Sequence, residues 1–133
     1  MVCVHCGGKT AVINSSRQQR SNQVWRRRQC HDCGAIFTTT EGADHGATWL
    51  VRDKRGLQPF SRDKLFLSLQ RSCQHRRQSV EDAAALTDTI IKKLPQHLSN
   101  GAIDRQDIVN LAEVTLNRFD TAASVHYRAF HHR

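Results

Sequence analysis

Apolar positions are sparse and irregular in the first third of the chain, and they become regular in the remainder. Within residues 1–42, Thr10–Ile13 and Ala35–Thr40 are rich in β-prone residues, whereas Asn14–Gln23 is polar and has no apolar period. The pattern predicts short extended segments joined by loops. Residues 43–48 contain a glycine and no large apolar residue, so we expect a linker there.

The second module, residues 49–133, opens with a hairpin pattern. Trp49–Val51 and Leu57–Phe60 are short apolar runs on either side of a polar turn. The last residue of that turn, Gly56, can take the positive φ angle that tight turns require. We therefore expect two short antiparallel strands.

Four helical patterns follow the hairpin. Each starts at a polar residue suited to an N-cap, and these residues are Ser61, Ser79, Asp104 and Asp120. Apolar side chains then recur at helical spacing and should face a core. The predicted stripes are Leu65, Leu69 and Cys73; Leu86, Ile90 and Leu94; Ile108, Leu111, Thr115 and Phe119; and Val125 with Phe130. The fold class is α+β, with a mostly helical second module.

The composition indicates that the first module needs a stabilising metal ion or cross-link and that the protein favours anionic partners. The first module has too few apolar residues for a core of its own. The formal charge of +8 at pH 7 favours a polyanionic partner such as nucleic acid, nucleotides or an anionic membrane surface. No apolar run approaches the roughly 18 residues that span a bilayer, and Met1 opens no signal peptide, so we expect a cytoplasmic protein without a membrane partner.

Two CxxC pairs separated by 23 residues indicate a metal site. The four predicted ligands are Cys3, Cys6, Cys30 and Cys33. Four thiolates complete a tetrahedral zinc site without an open position, so the zinc should be structural. Two disulfides or a redox CxxC are the alternatives, and a cytoplasmic compartment disfavours the former. We expect His5 and His31 to be side chains of the knuckles and Cys73 to be a core residue.

Arginines concentrate in the first module. Arg26, Arg27 and Arg28 precede the second CxxC pair, Trp25 stands beside them, and Arg17 and Arg20 lie on the loop before. Guanidinium forks bind phosphates and an aromatic ring can stack on bases, so these five arginines are candidate nucleic-acid contacts. The alternative is a solvated basic face.

Cations also cluster at the hairpin of the second module. Arg52, Lys54 and Arg55 surround the turn, and Lys64 falls in the first turn of the next helix. They could converge on a phosphate group, although composition supports a solvated basic face equally well. There is no Walker A sequence and no set of nucleophile, base and orienting residue, so catalysis has no support.

Taken in order, these motifs resemble the NrdR family of bacterial repressors of ribonucleotide reductase genes. The matching segments of the first module are Cys3–Cys6, Thr10–Arg17, Arg26–Cys33 and Phe37–Glu41. Leu50–Leu65 and Leu116–Asp120 resemble the ATP-cone domain of that family. The resemblance covers nearly the whole chain.

The resemblance implies a repressor and not an enzyme. Its zinc ribbon would bind paired boxes in double-stranded operator DNA, while its ATP-cone would bind ATP or dATP and change the oligomeric state. On the family pattern, Arg52 takes the place of a phosphate-binding lysine, Lys64 matches a second one, and Gln58 stands where a glutamate is usual.

The chain departs from the family pattern at several positions. Asn14–Arg17 has one residue more than the usual Asp-Ser-Arg, and Trp25 replaces an arginine or an apolar residue. Asp53 stands where a nucleotide-binding arginine is common, so Lys54 or Arg55 would serve through a shifted turn. We expect these changes to affect nucleotide preference and oligomer geometry more than zinc or DNA binding.

Two other functions stay open. The chain could be a zinc-ribbon accessory protein that binds single-stranded nucleic acid or RNA, with a cone that serves only for association. Binding without an effect of dATP would favour that hypothesis. It could also be an enzyme or redox protein that uses its thiols, which tight zinc binding without reactive thiols would exclude.

Overall fold

The computed structural model divides the chain into two compact units, Met1–Ala43 and Asp44–Arg133. Residues 1–131 are described. Within this range no helix is long and apolar enough to cross a membrane.

The first unit is a three-stranded antiparallel sheet in the order β1-β2-β3. Its strands are β1 (Thr10–Gln18), β2 (Gln23–Cys30) and β3 (Ile36–Glu41). The central strand β2 pairs with β1 from Thr10 opposite Cys30 to Gln18 opposite Gln23, and the ladder has a bulge between Val12 and Asn14.

The prediction of a loop over Asn14–Gln23 was wrong, because β1 continues through Gln18. The sequence there has no apolar alternation, since both faces of this part of the strand are exposed. Backbone hydrogen bonds to β2 hold it in place, and these do not depend on side-chain type. The chain reverses only at residues 19–22, where Asn22 has a φ of 52°.

The second unit starts within the segment that we expected to be a linker. Helix α1 (His45–Thr48) is capped by Asp44, whose Oδ1 accepts the amide of Ala47 at 3.1 Å. The predicted hairpin is confirmed as β4 (Leu50–Asp53) and β5 (Gly56–Pro59). A third strand that the sequence pattern did not reveal, β6 (Ala102–Asp104), lies parallel to β4.

Four longer helices complete this unit. They are α2 (Arg62–Ser72), α3 (Ser79–Lys93), α4 (Arg105–Phe119) and α5 (Thr121–His131), with a 3-10 turn at Leu94–His97. Ser61 caps α2 as predicted and accepts the amide of Lys64 at 3.2 Å. The cap of α3 was misplaced by one residue, because Gln78 precedes this helix and Ser79 is its first residue.

Two of the four predicted apolar stripes face the core as expected. Leu65, Leu69, Cys73, Leu86, Ile90 and Leu94 are all buried. On α4 the prediction is confirmed for three of its four residues, since Thr115 is buried and Ile108 and Leu111 are partly buried against the core. The fourth, Phe119, is 39% exposed. The buried residues of α4 that we did not predict are Val109, Ala112 and Leu116. On α5 the buried residues are Ala123, Ser124 and Tyr127, while Val125 and Phe130 are exposed.

A charged cluster joins the loop after α2 to the starts of α3 and α5. Arg76 Nε donates to Asp82 at 2.8 Å, and its Nη1 donates to Asp120 at 2.9 Å. His75 Nε2 lies 2.9 Å from the same Asp120 oxygen. The Arg76 guanidinium also lies 4.3 Å from the centre of the Phe119 ring. The Asp120 carboxylate at the start of α5 thus binds the loop after α2, and Arg76 in that loop also binds the first turn of α3.

Candidate metal centre and nucleic-acid interface

The four predicted metal ligands converge at one end of the sheet. Their Sγ atoms all lie within 4.8 Å of one another, and together they form a group that could hold a metal ion. Cys3 Sγ lies 3.7 Å from Cys33 Sγ, and Cys6 Sγ lies 3.4 Å from Cys30 Sγ. All four cysteines are free thiols, so the alternative of two disulfides does not describe this structure.

The two CxxC pairs adopt the same turn. In the first, Cys3 N–H donates to the carbonyl of Gly8 at 2.8 Å, and Gly7 N–H donates to the carbonyl of Cys3 at 3.0 Å. The second repeats these bonds between the equivalent residues, from Cys30 to Ala35 and from Gly34 to Cys30. Gly7 and Gly34 have φ angles of 77° and 73°, which residues with a side chain rarely adopt.

Backbone amides in these turns donate to the sulfur atoms. His5 N–H lies 3.3 Å from Cys3 Sγ, and Gly8 N–H lies 3.4 Å from Cys6 Sγ. Cys30 Sγ accepts from the amides of Asp32 and Cys33. The pKa of the Cys30 thiol is lowered to about 7 in spite of burial, chiefly by the hydrogen bond from the Cys33 amide and in part by that from the Asp32 amide. These hydrogen bonds favour the thiolate form, which is the form that binds metals, at Cys30.

The donor set fits a tetrahedral thiolate site. Zinc–sulfur bonds of about 2.3 Å place the sulfur atoms of such a site roughly 3.8 Å apart. The sulfur pairs at 3.4 and 3.7 Å are slightly nearer than that, and all four sulfur atoms lie within 4.8 Å of one another, so a metal ion needs only small movements to enter. His5 and His31 are exposed and do not belong to the metal-binding group found among residues 1–131.

The arginine run before the second CxxC pair lies on a strand, and so does Arg17, which we expected on a loop. Arg26, Arg27 and Arg28 occupy the central strand β2, so their side chains alternate between the two faces of the sheet. Arg17 of β1 pairs with Val24 of β2, so it lies on the same face of the sheet as Arg26. Arg20 is exposed in the turn between β1 and β2. The five predicted arginines therefore do not form one continuous surface.

The three neighbouring arginines also differ in their contacts. Arg26 forms an ion pair with Glu41 at 3.2 Å. Arg28 Nε donates to the hydroxyl of Thr39 at 3.2 Å. The guanidinium carbon of Arg27 lies 6.0 Å from the centre of the Trp25 ring. Glu41 and Thr39 had not been identified as partners, and their positions on β3 follow only once the strand register is known.

The predicted nucleotide-binding residues surround the hairpin of the second unit but do not all share a face. Lys54 and Arg55 are exposed in the turn, where the amide of Arg55 donates to Asp53 at 2.8 Å. Lys64 is exposed in the first turn of α2. Arg52 and Gln58 lie on opposite faces of the hairpin, because Arg52 pairs with Leu57 in the register and Gln58 pairs with Val51.

Arg52 already has a partner in this unit. Its Nη1 donates to Asp104 Oδ1 at 2.8 Å. We had predicted Asp104 as a helix cap, and it does precede α4, but its side chain makes no cap hydrogen bond and binds Arg52 instead. An anion at Arg52 would have to compete with this carboxylate.

A cavity of about 420 Å³ lies between α2 and α5, away from these cations. It is lined by Ser68, Arg71, Ser72, Gln74, His126, Phe130 and His131. None of the five residues that we predicted for nucleotide binding lines it. No motif in the sequence marks these positions.

The comparisons with known proteins agree with the geometry of both units. Residues 1–41 match the family model described as the N-terminal domain of transcriptional repressor NrdR-like proteins, and residues 51–133 match the ATP cone domain. The transcriptional repressor NrdR of Streptococcus gordonii is 36% identical over 138 aligned residues, which cover 98% of this chain and 85% of that protein. This chain belongs to the NrdR family.

The NrdR proteins of Streptococcus sanguinis and Streptococcus pneumoniae are each 33% identical over the same shares of both chains. The NrdR resemblance that we inferred from the motifs is thereby confirmed, as is the fold class of a four-cysteine zinc ribbon followed by an ATP-cone. The NrdR relatives are named as transcriptional repressors, which is a non-enzymatic role, in agreement with our prediction that this chain is not an enzyme.

Proposed function

We propose that this protein is a zinc-dependent repressor of ribonucleotide reductase genes that binds operator DNA through its first unit and responds to ATP and dATP through its second. The observation that carries the proposal is the position of the four-thiol site. Cys30 belongs to that site and is also the last residue of β2, the strand with three arginines. A metal ion at this site would hold the basic strand in register.

Zinc supplies folding free energy to a unit that lacks an apolar core. Structural zinc sites of this type contribute about 10 kcal/mol or more near neutral pH. Four thiolates around one zinc ion carry a formal charge of −2, so the arginines have to provide the attraction to DNA phosphates. In a bacterial cell, the protein would act in the cytoplasm at the nucleoid.

Nucleotide binding is proposed for the hairpin of the ATP-cone. Lys54, Arg55 and Lys64 are exposed there and can approach a triphosphate, while Arg52 and Gln58 flank them on either face. ATP and dATP can regulate the protein only if they stabilise different assemblies, since a ligand with equal affinity for two states shifts nothing. We therefore include nucleotide-dependent self-association in the proposal.

The test combines DNA binding with a measurement of mass. Zinc-loaded protein would be titrated with duplexes from the promoters of ribonucleotide reductase genes and with shuffled duplexes, without nucleotide and with ATP or dATP. Light scattering on the same samples would give the oligomeric state. We expect preference for the promoter duplex and a nucleotide-dependent change of both affinity and mass. Equal affinity for both duplexes under all conditions would contradict the proposal.

A second function has one observation in its favour. Trp25 is half-buried on the sheet with Arg27 beside its ring, and such an aromatic and cationic pair can stack on single-stranded bases. The protein would then be an accessory factor for single-stranded nucleic acid, with a cone used only for association. Tighter binding to single strands than to duplexes, without an effect of dATP, would favour this function.

A further inference from the structure

The first unit has two sheet faces of different character, and the strand register assigns each residue to one of them. Residues directly opposite one another in neighbouring strands share a face. The tryptophan face carries Asn14, Ser16, Trp25, Arg27, Thr38 and Thr40. The arginine face carries Arg17, Arg26, Arg28, Phe37, Thr39 and Glu41. A duplex that lies against one face cannot contact the other.

Two of the three guanidinium groups on the arginine face, those of Arg26 and Arg28, already have partners within the sheet. Arg26 pairs with Glu41, and its side chain is only 33% exposed. Arg28 donates to Thr39 and lies opposite Phe37, so its aliphatic part can cover that ring. A DNA phosphate that approached Arg26 would have to displace the Glu41 carboxylate and would be repelled by it.

The tryptophan face leaves its cation uncommitted. Among residues 1–131, the Arg27 guanidinium takes part in no hydrogen bond or ion pair, and its neighbour is the Trp25 ring at 6.0 Å. A ring below the guanidinium plane restricts the side chain but leaves its N–H groups free to donate. The strand positions of this face include no acidic residue, and Asn14, Ser16, Thr38 and Thr40 add donors and acceptors around it.

We propose that the tryptophan face is the surface that contacts duplex DNA, that Arg27 makes its main contact, and that Trp25 positions Arg27. This inference rests on the proposed function in DNA binding and adds which face is used. Arg26 and Arg28 then act within the sheet, by holding β2 to β3, and contribute to DNA binding only through overall charge.

The experiment compares neighbouring arginines that carry the same charge. Arg26→Ala, Arg27→Ala and Arg28→Ala would be titrated with one promoter duplex at three salt concentrations, after zinc content and circular dichroism are matched to the parent protein. We expect Arg27→Ala to weaken binding by roughly tenfold or more, and the other two variants to weaken it by less than about threefold. Trp25→Ala should also weaken binding, because it removes the ring that positions Arg27. Trp25→Phe keeps an aromatic ring and should retain most of the affinity.

The outcomes separate this inference from the function on which it rests. A parent protein that binds no duplex would contradict both. A parent that binds, with Arg26→Ala or Arg28→Ala at least as weak as Arg27→Ala, would place the DNA on the arginine face and overturn the inference alone. If Arg28→Ala loses zinc, Arg28→Gln would replace it, since glutamine keeps part of the stem that lies near Phe37.

The indole N–H resonance of Trp25 should also shift when duplex is added, and an unchanged resonance would contradict the proposed face.

Discussion

Cys30 has two roles that meet in one residue. Its thiol belongs to the metal-binding group, and its backbone ends the strand with the three arginines. Its sulfur accepts hydrogen bonds from the amides of Cys33 and Asp32, which help to lower the pKa of the thiol from its usual range to about 7. A change at this residue should therefore disturb both the metal and the basic strand.

We expect Cys30→Ser to abolish stoichiometric zinc binding and to unfold the first unit, because a hydroxyl group is a poor replacement for a thiolate ligand. Zinc content by mass spectrometry and amide spectra of residues 1–43 would measure both effects. The matched control is Cys73→Ala, which removes a fully buried thiol from the helical core. It should keep zinc and lower the free energy of unfolding of the second unit by about 1 kcal/mol. Equal zinc loss in both variants would refute the ligand assignment.

The ion pair between Arg52 and Asp104 permits a test of the nucleotide site at one residue. Asp104→Asn keeps a residue suited to the start of α4 and removes the charge that holds Arg52. Both side chains are about half exposed, so the free energy of unfolding should fall by less than about 1 kcal/mol. If Arg52 binds phosphate, the affinity for ATP should rise in Asp104→Asn and fall in Arg52→Ala, as measured by calorimetry.

The control for this test is Asp88→Asn, which removes the same charge from the exposed pair with Arg62. Its affinity for ATP should match that of the parent protein. An increase of the same size in both variants would mean that Asp104 acts only through overall charge.

Among single residues, those with a local signature could be predicted and those that depend on distant contacts could not. The metal ligands follow from two short motifs, because each pair forms its own turn. The contact between Arg52 and Asp104 joins strands that are separated by 52 positions in the sequence, and nothing local marks it. The same holds for Glu41 as the partner of Arg26.

At the scale of elements, the hairpin and the longer helices could be predicted because turn and cap residues mark their ends. The inward face of α4 could be predicted only in part. Apolar or small residues stand at adjacent positions, such as Ile108 with Val109 and Leu111 with Ala112, so two neighbouring stripes fit the helical period equally well. In the structure Val109 and Ala112 are fully buried, while Ile108 and Leu111 also pack against the core but are only partly buried.

The start of α5 depends on a carboxylate that should make the stability of the helical unit sensitive to acid. Asp120 Oδ1 accepts the amide of Ala123 at 3.1 Å, and its other oxygen meets His75 and Arg76. The hydrogen bond with His75 lowers the pKa of Asp120 well below its usual range, and the Ala123 amide and Arg76 add to this. A carboxyl group with a lowered pKa in the folded state stabilises the fold above its unfolded pKa of about 4 and loses that contribution as the pH falls further.

We therefore expect Asp120→Asn to cost about 2 kcal/mol at pH 7 and to show a shallower loss of stability between pH 5 and pH 2.5 than the parent protein. Urea unfolding followed by circular dichroism at 222 nm would measure this, since the long helices lie in the second unit. Asparagine can still cap α5, so the helix itself should persist. Asp88→Asn, at an exposed pair, should keep the slope of the parent, and parallel curves for all three proteins would count against the role of Asp120.

At the scale of the whole molecule, two units depend on different sources of stability. The first has a metal site and a sheet with little apolar burial, while the second has a continuous core that includes Trp49, Phe60 and Tyr127. We expect a zinc chelator to unfold only the first unit. DNA binding should disappear, while the signal at 222 nm and the affinity for ATP should stay close to those of the zinc-loaded protein.

Adding zinc back to the chelated protein should restore DNA binding. A matched sample of Cys30→Ser should not recover. Loss of the helical signal on chelation would show that the second unit depends on the metal as well.

The position of Cys30 at the end of β2 also determines which side chains of this strand lie on each face of the sheet. Side chains at odd distances before this cysteine, such as Arg27 and Trp25, point to one side, and those at even distances, such as Arg28 and Arg26, point to the other. Because Cys30 is a metal ligand, the metal would fix the orientation of this cysteine and hence the side of the sheet to which each earlier residue of β2 points. Inserting a single residue between Arg28 and Cys30 would keep every arginine and every ligand but exchange the sides on which the arginines stand. Spacing to the metal is therefore as much a part of this surface as the identity of its side chains.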